Sequence, residues 1–228
     1  MKDFPRRQST VVKAVVFDLG GVLIELYAAE ARRELIEKYG IQSQSFNRLT
    51  RSSFASHRKS ITELAMVGRI GISAYLEAFS RACTVKDEQG IRVNRLSVVG
   101  PERANVFNLA KQLKQAGFVC CVLTNTIALH WEKLNSKRTY PSLGTFDHIF
   151  ASHLIACAKP EEAAFSFVTN ALNIPASECL LVDDTPLNVD RARAVGWHSI
   201  LFSNIANLQH DLHDLTNVKF TDETNAEL

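Results

Sequence analysis

Four short stretches of this chain are apolar at nearly every position: Ala14-Val15-Val16-Phe17, Phe118 through Leu123, Cys179-Leu180-Leu181-Val182 and Ser199-Ile200-Leu201-Phe202. A strand with one face in water alternates polar and apolar residues. Unbroken runs of this length fit strands covered on both faces, as in a parallel sheet. Helical patterns separate the later runs. Between 101 and 116, Val106, Leu109, Ala110 and Leu113 keep to one face, and Gly117 can close the helix. A second helix is predicted after Pro160, with Ala164, Phe165, Val168, Ala171 and Leu172 on one stripe. A third opens at Thr185-Pro186, a capping residue followed by proline in the first turn, and stops at Gly196. Strand and helix in alternation predict an α/β fold with a doubly wound parallel sheet.

From about Leu26 to Val99 the alternation stops, and only helices are predicted. Ala28, Ala31, Leu35, Ile36 and Tyr39 make one stripe ended by Gly40; Tyr75, Leu76, Phe79 and Ala82 make another, opened by Ser73. A helical block inserted after the first strand is a candidate cap. The predicted division is a core of 11–25 and 100–216, a helical cap of 26–99, and flexible ends at 1–10 and 217–228.

Composition narrows the class. At 228 residues with 46% hydrophobic and 22% charged, the chain can bury a core of ordinary size. Its 26 basic and 24 acidic residues leave a net charge of +2, which gives no electrostatic case for nucleic acid as a partner. Arg6, Arg7 and Lys13 near one end and Asp222, Glu223 and Glu227 near the other read as solvated ends. The five cysteines, an odd number, have neither framework nor zinc spacing, which predicts a reducing compartment and hence the cytoplasm. The first apolar run is too short to span a membrane, and no membrane partner is expected. Oligomeric state is left open.

In open α/β sheets ligands bind beyond the carboxyl ends of the strands. The first run ends in Asp18-Leu19-Gly20-Gly21, the second in Thr124-Asn125-Thr126 and the third in Asp183-Asp184, while Lys159-Pro160 opens a helix between them. Singly, each has a bland reading as a turn, a cap or a helix start. Jointly they place three carboxylates, a hydroxyl and an ammonium on one rim. A carboxylate can attack phosphorus. Magnesium favours oxygen ligands. Lysine, hydroxyl and backbone N–H groups can hold phosphate oxygens.

These segments, with Val22-Leu23, Leu123, Glu161, Val182 and Asn188 around them, resemble the four motifs of the haloacid dehalogenase superfamily. The branch containing glucose-1-phosphatase-like enzymes and the phosphatase half of soluble epoxide hydrolase is the most similar. Met66-Val67-Gly68-Arg69-Ile70 is similar to a cap segment there. The resemblance implies a Rossmann-like core and a phosphomonoester hydrolase that uses Mg2+. It implies Asp18 as nucleophile and metal ligand, the Gly20 carbonyl as a metal ligand, and Thr124 with the Asn125 backbone as phosphoryl ligands. Lys159 then pairs with Asp18 and phosphate. Asp184 binds metal directly, Asp183 binds it directly or through water, and Asn188 supports that pair. The implied substrate is a small phosphorylated metabolite, with sugar phosphates among the candidates.

One position departs from the family pattern. Most family phosphatases carry an acid–base aspartate two residues after the nucleophile, where this chain has Gly20. His130, on the helix after Thr124, is a candidate replacement, although a packing role is the stronger expectation. Two rival readings exist. A haloacid dehalogenase needs no proton donor, but the Asp183-Asp184 pair speaks for phosphate. A catalytically impaired binding protein on this fold is supported only by Gly20.

Overall fold

The computed structural model describes residues 12–51 and 59–221. Of the basic and acidic end residues named above, Lys13 is described and pairs with Glu178 at 2.8 Å; the others lie outside the described residues. The elements run β1 (Ala14–Phe17), β2 (Ile24–Leu26), α1 (Ala28–Glu37), α2 (Ser43–Thr50), α3 (Ile61–Met66), α4 (Ile72–Ala82), α5 (Glu88–Ser97) and β3 (Val99–Glu102). They continue with α6 (Ala104–Gln115), β4 (Val119–Thr124), α7 (Ala128–Leu134), β5 (His148–Ala151), α8 (Ser152–Ile155) and α9 (Glu162–Leu172). The chain closes with β6 (Cys179–Asp183), α10 (Pro186–Ala194), β7 (His198–Leu201) and α11 (Ile205–Thr216).

Five strands form one parallel sheet in the order β5-β4-β1-β6-β7. Its burial explains the unbroken apolar runs. Successive side chains of a strand point to opposite faces. Val15, Phe17, Cys120, Val122, Leu180 and Val182 face a core shared with α6 and α11. Ala14, Val16, Cys121, Leu123, Cys179 and Leu181 face a second core with Phe165 and Val168 of α9 and Ala192 of α10. Both faces are covered, so neither set is polar. The result is the doubly wound, Rossmann-like α/β fold. No helix of the described residues is long and apolar enough to cross a membrane.

Helices α1–α5 gather around a third core, with Tyr75 and Phe79 buried at its centre, and Ile127 and Leu129 from the sheet side join it. Ser60 and Glu63 open α3 with a reciprocal capping box, which satisfies two otherwise unpaired backbone donors. This block is held to the sheet domain at several points. Lys59 pairs with Glu161 at 2.7 Å, Arg92 pairs with Glu132, and Lys133 Nζ donates to the Val99 carbonyl at 2.6 Å. His130 Nε2 on α7 donates to the Arg95 carbonyl of α5 at 3.0 Å. Burial, then the nearby Arg95 charge, pushes the His130 ring down to about 4.

Some boundaries differ from the pattern-based expectation. The helix expected from Pro101 starts at Ala104, because β3 pairs antiparallel with β2 across the junction of the helical block. The strand β5 and the helices α8 and α11 went unrecognised; β5 is an edge strand with one exposed and one half-buried residue of its four. Residues 217–221, expected in a flexible tail, lie against α6. There Gln112 Nε2 donates to the Thr221 carbonyl and Thr221 N–H returns a bond to Gln112 Oε1, both at 2.9 Å.

Two outcomes follow for stability. Phe79→Ala, which empties the centre of the helical block, is expected to cost about 3–5 kcal/mol in denaturant unfolding; a loss below about 1 kcal/mol would contradict the packing described. His130 is held neutral in the fold but gains a proton in the unfolded chain below its ordinary 6.5. Its contribution is therefore complete above that pH and is lost as pH falls toward about 4. The stability difference between wild type and His130→Gln should shrink over that window by up to about 3 kcal/mol. A pH-independent difference would show that the ring is not held neutral.

Candidate active site

The rim of the sheet is set by register. Phe17, the last residue of β1, pairs with Val122 on one side and Val182 on the other; β6 runs one residue and β4 two residues further toward the same rim. The next residues, Asp18 and Asp183, are neighbours, and the Asp18 N–H donates to the Val182 carbonyl at 2.8 Å. Asp18, Asp183 and Asp184 each offer an oxygen within 4.8 Å of the others.

Lys159 sits between the strand ends. Its ammonium lies 2.9 Å from Asp18 Oδ1 and 2.6 Å from Asp183 Oδ2, and the residue is 1% exposed. Burial alone would lower this ammonium, but the two carboxylates together hold it above its usual range. Asp18 is pushed up to about 7, mainly by burial; Lys159 opposes the rise and the neighbouring Asp183 and Asp184 add to it. Asp184 is raised too, by partial desolvation and by Asp183. Three acids around one ammonium are therefore short of positive charge. A further cation would relieve them, and an oxygen-only donor set suits a hard one.

The three carboxylates are not equivalent. Asp183 accepts from Lys159, from the Thr185 N–H at 2.9 Å and from Asn188 Nδ2 at 3.0 and 3.1 Å, which occupies both of its oxygens. Its clearest task here is to hold Lys159. Asp18 Oδ1 accepts from the Leu19 N–H at 2.7 Å and from Lys159, while Oδ2 has no hydrogen bond among the described residues. Among the described residues the one side-chain hydrogen bond to Asp184 comes from the Thr185 hydroxyl, at 3.4 Å. Gly21 makes room for it: at φ +86 a Cβ there would lie 2.0 Å from Asp184 Oδ2.

Thr124, buried at the end of β4, lines the same cavity as Asp18, Asn125, Lys159 and Asp184. Asn125 does more than its backbone role required. Its side chain donates to the Lys159 carbonyl at 2.7 Å and accepts from the Lys159 N–H at 2.9 Å, clamping the backbone from which the ammonium projects. Gly20 also lines the cavity, and its φ is not in the left-handed region. The nearest atoms a Cβ there would meet belong to the flexible Leu26 side chain, the closest at 2.9 Å, so Leu26 would have to shift. Asn188 supports Asp183 as expected. His130 reaches the cavity wall but spends Nε2 on the Arg95 carbonyl.

This cavity, of about 280 Å³, is bounded on its far side by Met66 and Val98 of the helical block. A second chamber of about 420 Å³ adjoins it and shares Met66, Val98, Asn125, Thr126 and His130 as walls. Its other lining residues come largely from α1–α5 and include Arg32 and Arg95, which drew no attention in the sequence.

The chain is similar to several known proteins. The chain is 24% identical over 222 residues to mouse bifunctional epoxide hydrolase 2; the match covers 92% of this chain but 40% of the mouse protein, so the chain spans about two fifths of that relative's length. It is 26% identical over 189 residues to a sesquiterpene phosphatase of Aspergillus oryzae, covering 82% and 88% of the two chains. A haloacid dehalogenase family enzyme of Bacteroides thetaiotaomicron, solved with magnesium and inorganic phosphate, superposes with a TM-score of 0.70 at 21% identity, covering 83% of this chain and 93% of that one. The family model for haloacid dehalogenase-like hydrolases matches residues 12–196, a span that takes in the β1 aspartate, the β4 threonine, the buried lysine and the β6 aspartate pair; the chain belongs to the haloacid dehalogenase-like hydrolase family.

Proposed function

We propose that this hydrolase is a magnesium-dependent phosphomonoesterase that works through an aspartyl-phosphate on Asp18. The observation that carries the reading is the Lys159 ammonium bridging Asp18 and Asp183, with Asp184 alongside and Thr124 on the same cavity. This is a nucleophile, an anion clamp and an oxygen-only cation site within one pocket. The phosphate-cleaving relative and the magnesium-bound structural neighbour support the same chemistry.

With Oδ1 held by Leu19 and Lys159, Oδ2 of Asp18 is the oxygen free to attack phosphorus. The Asp18 oxygen–phosphorus bond forms as the bond from phosphorus to the leaving oxygen breaks. Thr124, the Asn125 backbone N–H and Lys159 hold the phosphoryl oxygens. Water then attacks phosphorus, releases phosphate and restores the carboxylate. Asp18, the Gly20 carbonyl and Asp184 would hold Mg2+, with Asp183 close behind. A cation held by these oxygens would supply charge neutralisation for the phosphoryl group.

Residues 26–99 act as the cap in this reading, admitting the substrate between helical block and sheet. The substrate is a small phosphorylated metabolite, with sugar phosphates among the candidates. Five free, buried thiols support a reducing, cytoplasmic setting.

Gly20 leaves the departing oxygen without the aspartate that would protonate it. His130 has Nε2 committed to the Arg95 carbonyl, and burial favours its neutral ring, which speaks against it as the replacement donor. Rates should therefore fall steeply as the leaving alcohol becomes more basic, with aryl and anomeric sugar phosphates favoured over simple alkyl phosphates. Gly20→Asp, which the backbone tolerates, should flatten that dependence and raise alkyl phosphate turnover by up to about 10²-fold. His130→Gln should leave the slope as it is. A graded series of esters assayed on all three proteins decides this; a flat slope in wild type means that another acid is in place.

Exhaustive chelation should abolish phosphate release, and added Mg2+ should restore it. Asp18→Asn should lose at least about 10³-fold in turnover with the fold intact. Phosphatase activity surviving chelation, or persisting in Asp18→Asn free of deamidated protein, would overturn the proposal.

A further inference from the structure

The chamber walled by α1–α5 carries charge that the proposed hydrolysis does not use. Arg95 on α5 is 6% exposed. Its Nε donates to the Tyr75 hydroxyl at 3.2 Å, and its Nη1 is buried with no hydrogen-bond partner. Arg32 on α1 is half-buried, and its Nε is likewise buried and unpartnered. The two guanidinium groups flank one ring: Arg32 Cζ lies 5.3 Å and Arg95 Cζ 6.0 Å from the centroid of Phe46. Arg95 also lies 4.8 Å from the Phe79 ring. Among the described residues neither arginine has a carboxylate partner. The buried hydroxyl of Thr62, on the same chamber, is unpartnered as well.

Arginine stays protonated in any protein environment. A buried guanidinium with an unmade hydrogen bond and no counter-charge is costly, and aromatic faces recover only part of that cost. Arg95, with the half-buried Arg32 and the Thr62 hydroxyl beside it, makes one wall of the chamber suited to an anion. Ala28, Ala29, Phe46, Met66, Val98 and Ile127 give the chamber an apolar stretch of wall, with Thr50 and Tyr75 among them. Through Met66, Val98, Asn125, Thr126 and His130 it adjoins the cavity that contains Asp18.

We infer that this chamber takes the leaving group of the substrate, and that the leaving group has an apolar body ending in a second anionic group, a carboxylate or a phosphate, held by Arg95, Arg32 and the Thr62 hydroxyl. The inference rests on the phosphatase reading for what fills the neighbouring cavity. The substrate is then an anion at both ends. A neutral leaving group would enter the same chamber and leave both arginines unpaired, which gives the site a physical basis for discrimination.

Titration calorimetry on the full chain with Mg2+ tests this without turnover. The probes are benzylphosphonate, 4-carboxybenzylphosphonate, p-xylylenediphosphonate and benzoate. The second anion should tighten binding at least about tenfold over benzylphosphonate. The carboxylate and diphosphonate arms show which anion is preferred. Arg95→Gln and Arg32→Gln should each remove most of that gain; if Arg95→Gln fails to fold, Arg32→Gln, at a half-exposed position, carries the test. Equal affinity for the three phosphonates, or a gain that survives the folded variants, overturns the inference. Benzoate reads the chamber alone. If no phosphonate binds but benzoate binds wild type and not Arg32→Gln, the chamber assignment stands and the phosphatase reading falls. If none of the four probes binds, both fall.

Discussion

The site depends on one buried ammonium placed between two carboxylates from adjacent parallel strands. Lys159 is almost fully enclosed, and a lysine so placed keeps its charge only if opposite charge and hydrogen bonds replace water. Asp18 and Asp183 supply both, at 2.9 and 2.6 Å. The surroundings are built to keep that triad in register. Parallel pairing of β1 with β6 brings the two acids to one level. Thr185 and Asn188 at the start of α10 fix Asp183, and the Asn125 side chain fixes the backbone of Lys159. Removing Lys159 leaves Asp18 and Asp183 facing each other without their shared partner, so structure and chemistry draw on the same contacts.

Parallel strands need covered faces, and the cover here is divided by function. The two sheet cores fix the strand ends, while the helical block closes the space above them. The block carries its own aromatic core and meets the sheet domain through salt bridges and hydrogen bonds of its rim. One of these, from His130 to the Arg95 backbone, ties the cavity wall to the helix bearing the unpaired guanidinium. Core and block thus bring different chemistry to adjoining cavities: carboxylates and an ammonium on the sheet side, guanidinium groups on the helical side.

Much of the sheet and its rim was legible in the sequence, because strands buried on both faces leave unbroken apolar runs and each of the central ones ends on a polar residue with nowhere to go but the rim. Asp18, Thr124, Asp183 and Asp184 were found in that way, and the structure brings them together. Edge strand β5 escaped because a short strand with an exposed histidine carries no such run. The helical onset at Pro101 was misplaced because pairing between β2 and β3 is a tertiary contact without a local signature. Arg95 could have been noticed: it lies four residues after Ile91, on the buried stripe of its helix. A charged residue in such a place needs a partner, and the sequence does not say that the partner is missing. The Asn125 clamp had no signal at all, since it joins segments 34 residues apart.

Gly20 gives the account its sharpest edge. An enzyme with Asp18 as nucleophile and no acid–base group beside it should be slow to activate the water that releases the phosphoryl group, so the covalent intermediate should accumulate. The direct measurement is rapid acid quench of protein mixed with Mg2+ and an aryl phosphate, followed by mass spectrometry of the peptide containing Asp18. The account predicts one phosphoryl group on that peptide, located at Asp18, appearing within a single turnover and disappearing as phosphate is released. Phosphate release from a peptide that never carries the group, or a phosphoryl group found on another residue, would contradict it.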